Sequence, residues 1–341
     1  MPPETLTVAE VEAPSRERDH VEAGSVDVLD LSIVIVNWNT QHVIVDCLRS
    51  VLANLGELST EIIVIDNAST DDSVQVIAER FPQVRLIAND TNRGFAAANN
   101  QGMRIARGAY VLLLNPDTVV LDGAFDKTLT YARRHPDIGV LGCQVMESAQ
   151  AVQRTCFRFP SPLNTLMWVS GALAWFPRSR IAGRAAYGPW NRRDEREVEV
   201  VSGMFMLVRC EAIEQVGLMD EAYFVFAEEA DWCYRFRSAG WRCVFAPVGR
   251  IVHVDGGSKS TEQASVKMYV EIQKSLLLFH RKHLGWGRWA LSKLLFSTTM
   301  VIRLAWWTVW AALGVGKSSR HKASQSAAAV RYQWTGREPP W

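Results

Sequence analysis

The sequence predicts an α/β protein built on a doubly wound, mostly parallel β-sheet. Short runs of β-branched and aliphatic residues alternate with helical segments of about ten to fifteen residues, as in successive strand–helix units. Two of the runs, at 31–37 and 110–114, are almost continuously apolar, which is typical of strands buried on both faces. The 341 residues, 48% of them hydrophobic, suffice for one large domain with appendages.

Strands and helices alternate through the first third of the chain. The predicted strands are Leu31–Asn37, Glu61–Asp66, Val84–Ala88 and Tyr110–Leu114. The predicted helices between them are Asp46–Leu55, Asp72–Phe81 and a small-residue helix within 92–108. We expect Ser69 or Thr70 to cap the second helix. Because the carboxyl ends of parallel strands meet at one edge of a sheet, the residues that follow these strands should line one crevice.

The fourth strand should stop at Asn115-Pro116-Asp117, because proline cannot donate to the hydrogen-bond ladder of a sheet. A carboxylate at a strand tip, such as Asp117, can hold a divalent cation and, through it, phosphates. On its own the segment is equally compatible with a solvated Asp in a turn. Polar residues after the other strands would share this crevice: Asn37, Asn39, Asp66 and Asn67.

A second polar segment, 92–102, combines a glycine with side chains that can bind anions. Gly94 allows close backbone approach, and Arg93 can pair with a phosphate. An Ala-rich helix packed on the sheet is the alternative interpretation. No G-x-G-x-x-G follows the first strand and no G-x-x-x-x-G-K-[ST] occurs, which argues against a dehydrogenase and a P-loop enzyme.

Candidate acids lie in the second half, after a Pro-, Arg- and Trp-rich segment, 144–197, that is predicted to be an irregular lid or membrane-facing insertion. Glu228, Glu229 and Asp231 fall in the first turn of a helix that should end near Gly240. Repulsion among them should raise at least one carboxyl pKa toward that of a useful base. A solvated acidic first turn would have the same sequence.

A single histidine follows the final predicted strand, Trp241–Ala246. His253 is flanked by β-branched residues and precedes a Gly-Gly turn. A structural role is the commoner one for such a residue, but His253 could instead reach into the crevice as a second metal ligand.

The C-terminal part is basic and rich in tryptophan. From Ile272 to Arg337 there are eleven Lys and Arg and no Asp or Glu, which suits an anionic surface. Leu294–Gly316 is long enough to span a bilayer but contains Arg303, which is costly near the bilayer centre. Interfacial Trp, Lys and Arg favour helices that lie in the headgroup plane. There are two alternatives. Leu294–Gly316 could span the bilayer, or residues 285–293 could pack on the rest of the protein. Either membrane arrangement would bring the C-terminal part to a lipid surface.

The N-terminus and the cysteines indicate the compartment. Met1–Asp30 contains eight acids and two bases without hydrophobic periodicity, so it is predicted to be a disordered tail and not a signal peptide. The six cysteines form no C-x-x-C pair and are expected to be reduced core residues. Reduced cysteines fit a location at the cytoplasmic face.

Taken together, the motifs resemble those of family 2 glycosyltransferases, and in particular bacterial rhamnosyltransferase-like members that build cell-surface glycans. Six motifs carry the resemblance, in order: 36–39, 64–69, 92–99, 114–117, 228–231 with Gly240-Trp241, and His253 with 256–258. The resemblance implies the GT-A fold, a Rossmann-like sheet with C-terminal membrane-associating helices. The expected organisation is tail 1–30; catalytic domain 31–260, with a nucleotide-sugar half at 31–120 and an acceptor and base half at 198–260; membrane-associating helices 261–316; and basic tail 317–341.

The resemblance also implies residue roles. Donor binding falls to Asn37, Asn39, Asp66, Asn67, Arg93, Gly94, Asn99, Asn115 and Asp117. Acceptor binding falls to Ser202, Gly203, Met204 and Trp232. Asp117 and His253 would hold Mg²⁺ or Mn²⁺, and Glu229 would be the catalytic base.

Two departures from the family pattern leave alternatives open. Asn115 replaces the first metal-site Asp, and Glu229 is one methylene longer than the usual base, so Glu228 or Asp231 could act in its place. The expected activity is inverting transfer from a dTDP- or UDP-sugar, with dTDP-rhamnose first, to a lipid-linked or glycan acceptor at an anionic membrane surface, with no nucleic acid partner. A non-catalytic nucleotide-sugar or glycan-binding protein is the alternative, and a nucleotidyltransferase is a third possibility.

Overall fold

The computed structural model describes residues 29–147, 151–254, 265–316 and 318–339. The acidic tail up to residue 28 and the 256–258 part of the last motif therefore lie outside the described residues. The elements of the first part are β1 (Leu29–Asn37), α1 (Gln41–Ala53), β2 (Thr60–Asp66), α2 (Ser73–Arg80), β3 (Arg85–Ala88), α3 (Phe95–Ile105), β4 (Gly108–Leu114), β5 (Thr118–Leu121), α4 (Ala124–Arg134) and β6 (Ile138–Met146).

The second part adds shorter strands and the C-terminal helices. Its elements are β7 (Cys156–Phe157), α5 (Pro162–Val169), α6 (Ala172–Trp175), β8 (Arg196–Glu197), β9 (Val200–Val201), β10 (Phe205–Arg209), α7 (Cys210–Val216), α8 (Glu228–Ser238), β11 (Arg242–His253), α9 (Ser265–Phe279), α10 (Trp286–Ala312) and α11 (Ser319–Thr335). A π-helical segment, His280–Leu284, connects α9 with α10.

One mixed sheet organises the domain, in the order β3-β2-β1-β4-β10-β6-β11-β5, with β8 paired to β11. Neighbours among β1, β2, β3 and β4 are parallel, as are β6 and β11, whereas β10 runs antiparallel between β4 and β6. The prediction of a doubly wound, mostly parallel sheet is confirmed. Asn37 pairs with Asp66, and Asp66 with Ala88, so these strands end level with one another.

Apolar cores cover both faces of the sheet, because successive strand residues point to opposite sides. On one face Ile33 packs in a cluster with residues of α1 and α4, including Leu48 and Phe125. On the other, Val34 belongs to a cluster that includes Trp232 and Phe236 of α8. All six cysteines are free and five of them are buried, as expected for reduced core residues.

Three local predictions differ from the structure. β1 begins at Leu29, since Asp30 accepts hydrogen bonds from Ser59 N and Oγ, both at 2.9 Å, and belongs to the sheet. Neither Ser69 nor Thr70 caps α2; its N-cap residue is Asp72. The final strand does not stop at Ala246 but continues to His253, with a register irregularity between Phe245 and Arg250 that accommodates Pro247.

The predicted irregular insertion contains helices and short strands. β6 extends to Met146, beyond the predicted start of the insertion at 144. Ser161 Oγ accepts from Asn164 N and caps α5, which starts at Pro162, a favourable first helical residue. β7 and β9 form a separate two-stranded ribbon.

The predicted basic tail 317–341 contains a regular helix. Ser319, Ser326 and Ala329 recur at helical spacing on α11 and are buried, which lets α11 pack closely along α10. Ala329 joins a small core with Val270 of α9 and Phe296 of α10. The C-terminal helices therefore form a packed unit.

Helix α10 is continuous over 27 residues, starting eight residues before the predicted apolar segment. It is the one helix in the described ranges that is long and apolar enough to cross a membrane, and only 11% of its most apolar window is buried. Arg303 does not interrupt it: its Nη1 lies 3.5 Å from Val169 O of α5, and its guanidinium lies over the Tyr269 ring. Large apolar side chains on the free side are exposed: Leu294, Val301, Ile302, Trp306 and Val309.

Candidate active site

A cleft of about 600 Å³ opens at the carboxyl edge of the parallel strands. The loops after β1, β2 and β4 contribute Trp38, Asn67 and Asn115 to its wall. The turn before α8, the insertion, the 202–204 segment and α9 contribute further wall residues. The prediction that strand ends converge on one crevice is therefore confirmed for these three loops.

Asp117 and His253 meet in this cleft because β5 and β11 pair antiparallel. The register places His253 opposite Thr118, and Val254 N donates to Asp117 O at 2.8 Å. His253 Nε2 lies 3.1 Å from Asp117 Oδ2, and the imidazole is almost fully buried. Two distant segments thus bring a carboxylate and an imidazole together at the tip of the sheet.

The second ring nitrogen of His253 faces Gln153 Oε1 at 2.9 Å. In the tautomer that donates from Nδ1 to this amide oxygen, Nε2 carries the lone pair that a cation would need. His253 Nε2 and Asp117 Oδ1 are both buried without a well-formed hydrogen bond. A buried imidazole nitrogen and a buried carboxylate oxygen with free lone pairs are a donor set that fits a divalent cation.

This donor set is small. Across the described ranges, no group of three or more His, Cys, Asp and Glu side chains is arranged to hold a metal. Mg²⁺ commonly binds through one or two carboxylates together with substrate phosphates and water. Asn115 also lines the cleft beside Asp117. The residues present therefore fit a cation that is shared with a phosphate-bearing ligand.

Two glutamates line the same cleft at the start of α8. Phe226 and Ala227 have positive φ values of 70° and 62°, so the chain turns sharply before Glu228. Burial, and then the Glu229 carboxylate, raise the pKa of Glu228 well above its usual range. Burial also raises the pKa of Glu229, and the Gly203 N–H, 3.1 Å from its Oε1, opposes that rise. We therefore assign the proton of the pair to Glu228 and the charge to Glu229.

The structure does not bring Asp231 to the cleft. Its buried carboxylate accepts from Arg235 Nε at 2.8 Å, Lys282 Nζ at 2.6 Å and His283 Nε2 at 2.7 Å. Burial alone would raise the pKa of Asp231, but the hydrogen bonds from Lys282, His283 and Arg235 bring it below its ordinary value. Such a carboxylate is a poor proton acceptor, which corrects the expectation that Asp231 could serve as the base.

Two of the predicted acceptor and donor residues are structural as well. Trp232 is fully buried, and its indole Nε1 donates to Gly217 O at 2.8 Å, so it belongs to the core and not to the acceptor site. Asn99 is buried, with its Nδ2 donating to Phe95 O at 2.9 Å within α3. Neither side chain lines the cleft.

Asn37 and Asp66 form a buried support beneath the part of the cleft wall at the ends of β1 and β2. Asn37 Nδ2 donates to Asp66 Oδ2 at 2.7 Å. Ser69 donates its N–H to Asp66 Oδ1 at 2.8 Å and its hydroxyl to Oδ2 at 2.7 Å. Asn39, with φ of 53°, accepts from Thr70 N at 2.7 Å. These residues hold the loops that carry Asn67. Asn37, Asn39 and Asp66 do not themselves line the cleft.

Gly94 joins the start of α3, at the cleft wall, to the loop before α8. It has φ of 83°, and an added Cβ would lie 2.4 Å from Phe224 O, so only glycine fits. Phe95 N donates to Phe224 O at 2.6 Å at the same contact. Arg93 is exposed and outside the cleft wall; its N–H donates to Asn67 Oδ1 at 2.9 Å.

The predicted acceptor segment Ser202, Gly203 and Met204 does line the cleft. Sequence reasoning missed Gln153, whose role depends on a contact between residues 100 positions apart. It also missed an apolar part of the wall: Trp168, Leu173, Met268, Ile272 and Leu276. The last three follow a four-residue spacing on α9, a signal that is present in the sequence.

Comparisons with known proteins agree with this geometry. Residues 32–217, more than half of the chain, match the family described as Glycosyl transferase family 2. The N-acetylglucosaminyl-diphospho-decaprenol L-rhamnosyltransferase of Mycobacterium tuberculosis is 30% identical over 264 residues, which cover 71% of this chain and 82% of that protein. A low-salt glycan biosynthesis hexosyltransferase of Haloferax volcanii is 22% identical, covering 81% and 84%.

Solved structures show the same fold. The mannosyltransferase PcManGT from Pyrobaculum calidifontis, in complex with GDP-Man and Mn²⁺, superposes with a TM-score of 0.53 at 16% identity, covering 91% of this chain and 88% of that one. GalNAc-T7, with UDP, GalNAc and Mn²⁺, gives a TM-score of 0.56 at 14% identity, covering 90% and 56%. By sequence and by architecture, the chain belongs to glycosyl transferase family 2 and has the GT-A fold.

Proposed function

We propose that the chain is an inverting, divalent-metal-dependent glycosyltransferase that moves a sugar from a nucleoside-diphosphate donor to a lipid-linked acceptor in cell-surface glycan synthesis. The observation that carries the proposal is the sharing of one cleft by the Asp117–His253 pair and Glu229. A cation ligand set and a candidate base within one cavity are the two parts that such a transfer needs.

The donor binds at the ends of β1, β2 and β4 in this proposal. Asn67 and Gly94 line the wall there, above the Asn37–Asp66 support. Among the described residues that line the cleft, Arg158 is the one Lys or Arg, and it belongs to the insertion. Asp117 and His253 would hold Mg²⁺ or Mn²⁺, which when bound neutralises the negative charge that develops on the leaving nucleoside diphosphate.

Glu229 acts as the base in this proposal. The Gly203 N–H orients its Oε1, and the acceptor hydroxyl gives its proton to the carboxylate as it attacks the anomeric carbon. Glu228, with its raised pKa, stays protonated beside it. One displacement from the face opposite the leaving group inverts the anomeric centre, without the second carboxylate that retaining glycosidases use as a nucleophile.

The proposed substrates follow from the description of one relative. The Mycobacterium tuberculosis protein is described as a rhamnosyltransferase acting on N-acetylglucosaminyl-diphospho-decaprenol. We propose dTDP-L-rhamnose as the first donor to test, UDP-sugars as the second, and a lipid-diphosphate-linked sugar as the acceptor.

Attachment of the C-terminal helices to a membrane would support the proposal of a lipid-linked acceptor. One side of α10, with Phe296 and Met300, packs in the core it shares with α9 and α11, while the opposite side exposes Ile302 and Trp306. A helix with one packed side and one exposed apolar side suits the plane of the headgroups better than an isolated span. We therefore propose peripheral attachment at the cytoplasmic face, where anionic lipids attract the basic C-terminal segment.

The test is transfer by the purified full chain with Mn²⁺, a panel of nucleotide sugars and a lipid-diphosphate acceptor. We expect one donor to give product of inverted anomeric configuration. Glu229→Gln should lower kcat by about 10²- to 10⁴-fold. Asp46→Asn, a change in an exposed surface pair with Arg49, serves as the control. Binding of a nucleotide sugar without turnover of any donor, in the wild type as in Glu229→Gln, would favour the non-catalytic alternative.

A further inference from the structure

Part of the cleft wall is apolar. Trp168 of α5 and Leu173 of α6 belong to it, together with Met268, Ile272 and Leu276 of α9. The α9 residues are four positions apart, so they lie along one side of that helix. The wall therefore presents an apolar stripe about two turns long.

Helix α9 packs on more than one neighbour, and its cleft side is only partly covered by protein: Met268 is buried and Leu276 contacts the core of the C-terminal helices. Val270 and Leu277 are buried in the core that α9 shares with Phe296 and Met300 of α10. Ile272 and Leu276, on the cleft side, stay half-buried. Apolar surface that is left open within a concave site is characteristic of a site for an apolar ligand.

The stripe is fixed relative to the candidate base. Ser275 Oγ of α9 donates to Val225 O at 2.9 Å, in the loop that leads into Glu228 and Glu229. The same cleft wall contains Arg158, whose side chain is 39% exposed while its Nη1 lies 3.1 Å from Glu199 Oε1. One cleft thus combines the Arg158 guanidinium, the candidate base Glu229 and an apolar stripe. Such a lining suits an amphiphile with an anionic group near its reacting end.

We propose that the stripe on α9, with Trp168 and Leu173, binds the first part of the hydrocarbon chain of a lipid-diphosphate-linked acceptor, and that Arg158 lies beside its diphosphate. The rest of the chain would continue into the bilayer along the exposed side of α10. This inference rests on the proposed function, but it assigns a separate binding site to the lipid part of the acceptor.

The test compares acceptors that share one sugar diphosphate head and differ in the lipid, a butyl or a farnesyl chain, in detergent below its critical micelle concentration. Each further buried methylene lowers KM about fourfold. We expect the wild-type KM for the farnesyl acceptor to be at least about tenfold below that for the butyl acceptor. Ile272→Gln should remove most of this preference.

Ile181→Gln is the matched control, because Ile181 is exposed and lies outside both the cleft wall and α10. It should keep the chain-length preference. The inference is overturned if the wild type shows no preference, if Ile272→Gln keeps it, or if Ile181→Gln loses it equally. If the wild type hydrolyses no donor and glycosylates neither acceptor, the proposed function itself fails, which is a separate result.

Photo-crosslinking gives a readout that does not depend on turnover. A farnesyl diphosphate sugar with a diazirine on its second isoprene unit should label peptides containing residues 265–279 or 162–175. Mass spectrometry would map the site, and unlabelled farnesyl acceptor should compete. Labelling confined to α10 and α11 would show that the chain lies on the surface and would contradict the inference.

Discussion

Asp231 offers the most direct test of how the C-terminal segment supports the active site. Its fully buried carboxylate is the shared partner of Arg235, Lys282 and His283. Replacing it by Asn keeps the shape but removes the charge that Arg235 and Lys282 share, although Lys282 keeps a second partner in Asp220 at 2.8 Å. Removing one partner of a buried pair costs about 3–5 kcal/mol. Because Arg235 and Lys282 are 23% and 34% exposed, we expect the lower end, about 3 kcal/mol.

Urea denaturation followed by tryptophan fluorescence would measure the loss for Asp231→Asn. The folded-state pKa of Asp231 is lowered, so its contribution is present above the unfolded pKa of about 3.9 and is lost as pH falls further. The difference from wild type should therefore be full at pH 7 and shrink below about pH 4. Asp46→Asn, in an exposed pair, should cost less than about 1 kcal/mol. A loss at pH 7 no larger than that of this control would refute the reasoning.

Three further outcomes are expected. Gln153→Leu should weaken Mn²⁺ binding in the presence of dTDP by about 10- to 100-fold in titration calorimetry, and Gln153→Glu, which keeps an acceptor for His253 Nδ1, should restore it. Gly94→Ala should lower the free energy of unfolding by about 1–3 kcal/mol or more, because φ of 83° and the contact with Phe224 O exclude a Cβ. The measurement is a lower Tm. Glu228→Gln should raise Tm relative to wild type at pH 7–8 but not near pH 4. Because the folded-state pKa of Glu228 is raised, the wild type loses stability as pH rises above the unfolded-state pKa of this carboxyl. An unchanged difference in Tm across this pH range would contradict the assignment.

The alternation of strands and helices was readable because each half-buried or buried element has its own period. Leu31–Asn37 and Tyr110–Leu114 are apolar runs, and their ends converge as the parallel register requires. The meeting of Asp117 with His253 was beyond local pattern, since it depends on antiparallel pairing between strands more than 100 residues apart. Local sequence allowed His253 as a second metal ligand without favouring it, and the family resemblance then pointed to the pair.

The sequence left the roles of Asp231 and of the 317–341 segment undetermined for a related reason. Asp231 looked like Glu228 and Glu229 in the sequence, and its partners Lys282 and His283, about 50 residues later, gave no sign of their role. The 317–341 segment looked like a solvated tail because its packing residues are Ser and Ala, which bury against a neighbour without a strong hydrophobic period. In both cases tertiary contacts decided what composition left undetermined.

The tie between α8 and the π-helical segment has a practical consequence for anyone who shortens the protein to ease purification. Deleting from the start of that segment would take away Lys282 and His283 and leave an ionised aspartate uncovered behind the catalytic turn. A cut after Leu284 keeps both residues but removes Phe296, Met300 and Ala329, which share a core with Val270 and Leu277 of α9. Loss of activity in that shorter form would therefore report on lost packing beside the cleft as well as on the proposed membrane attachment.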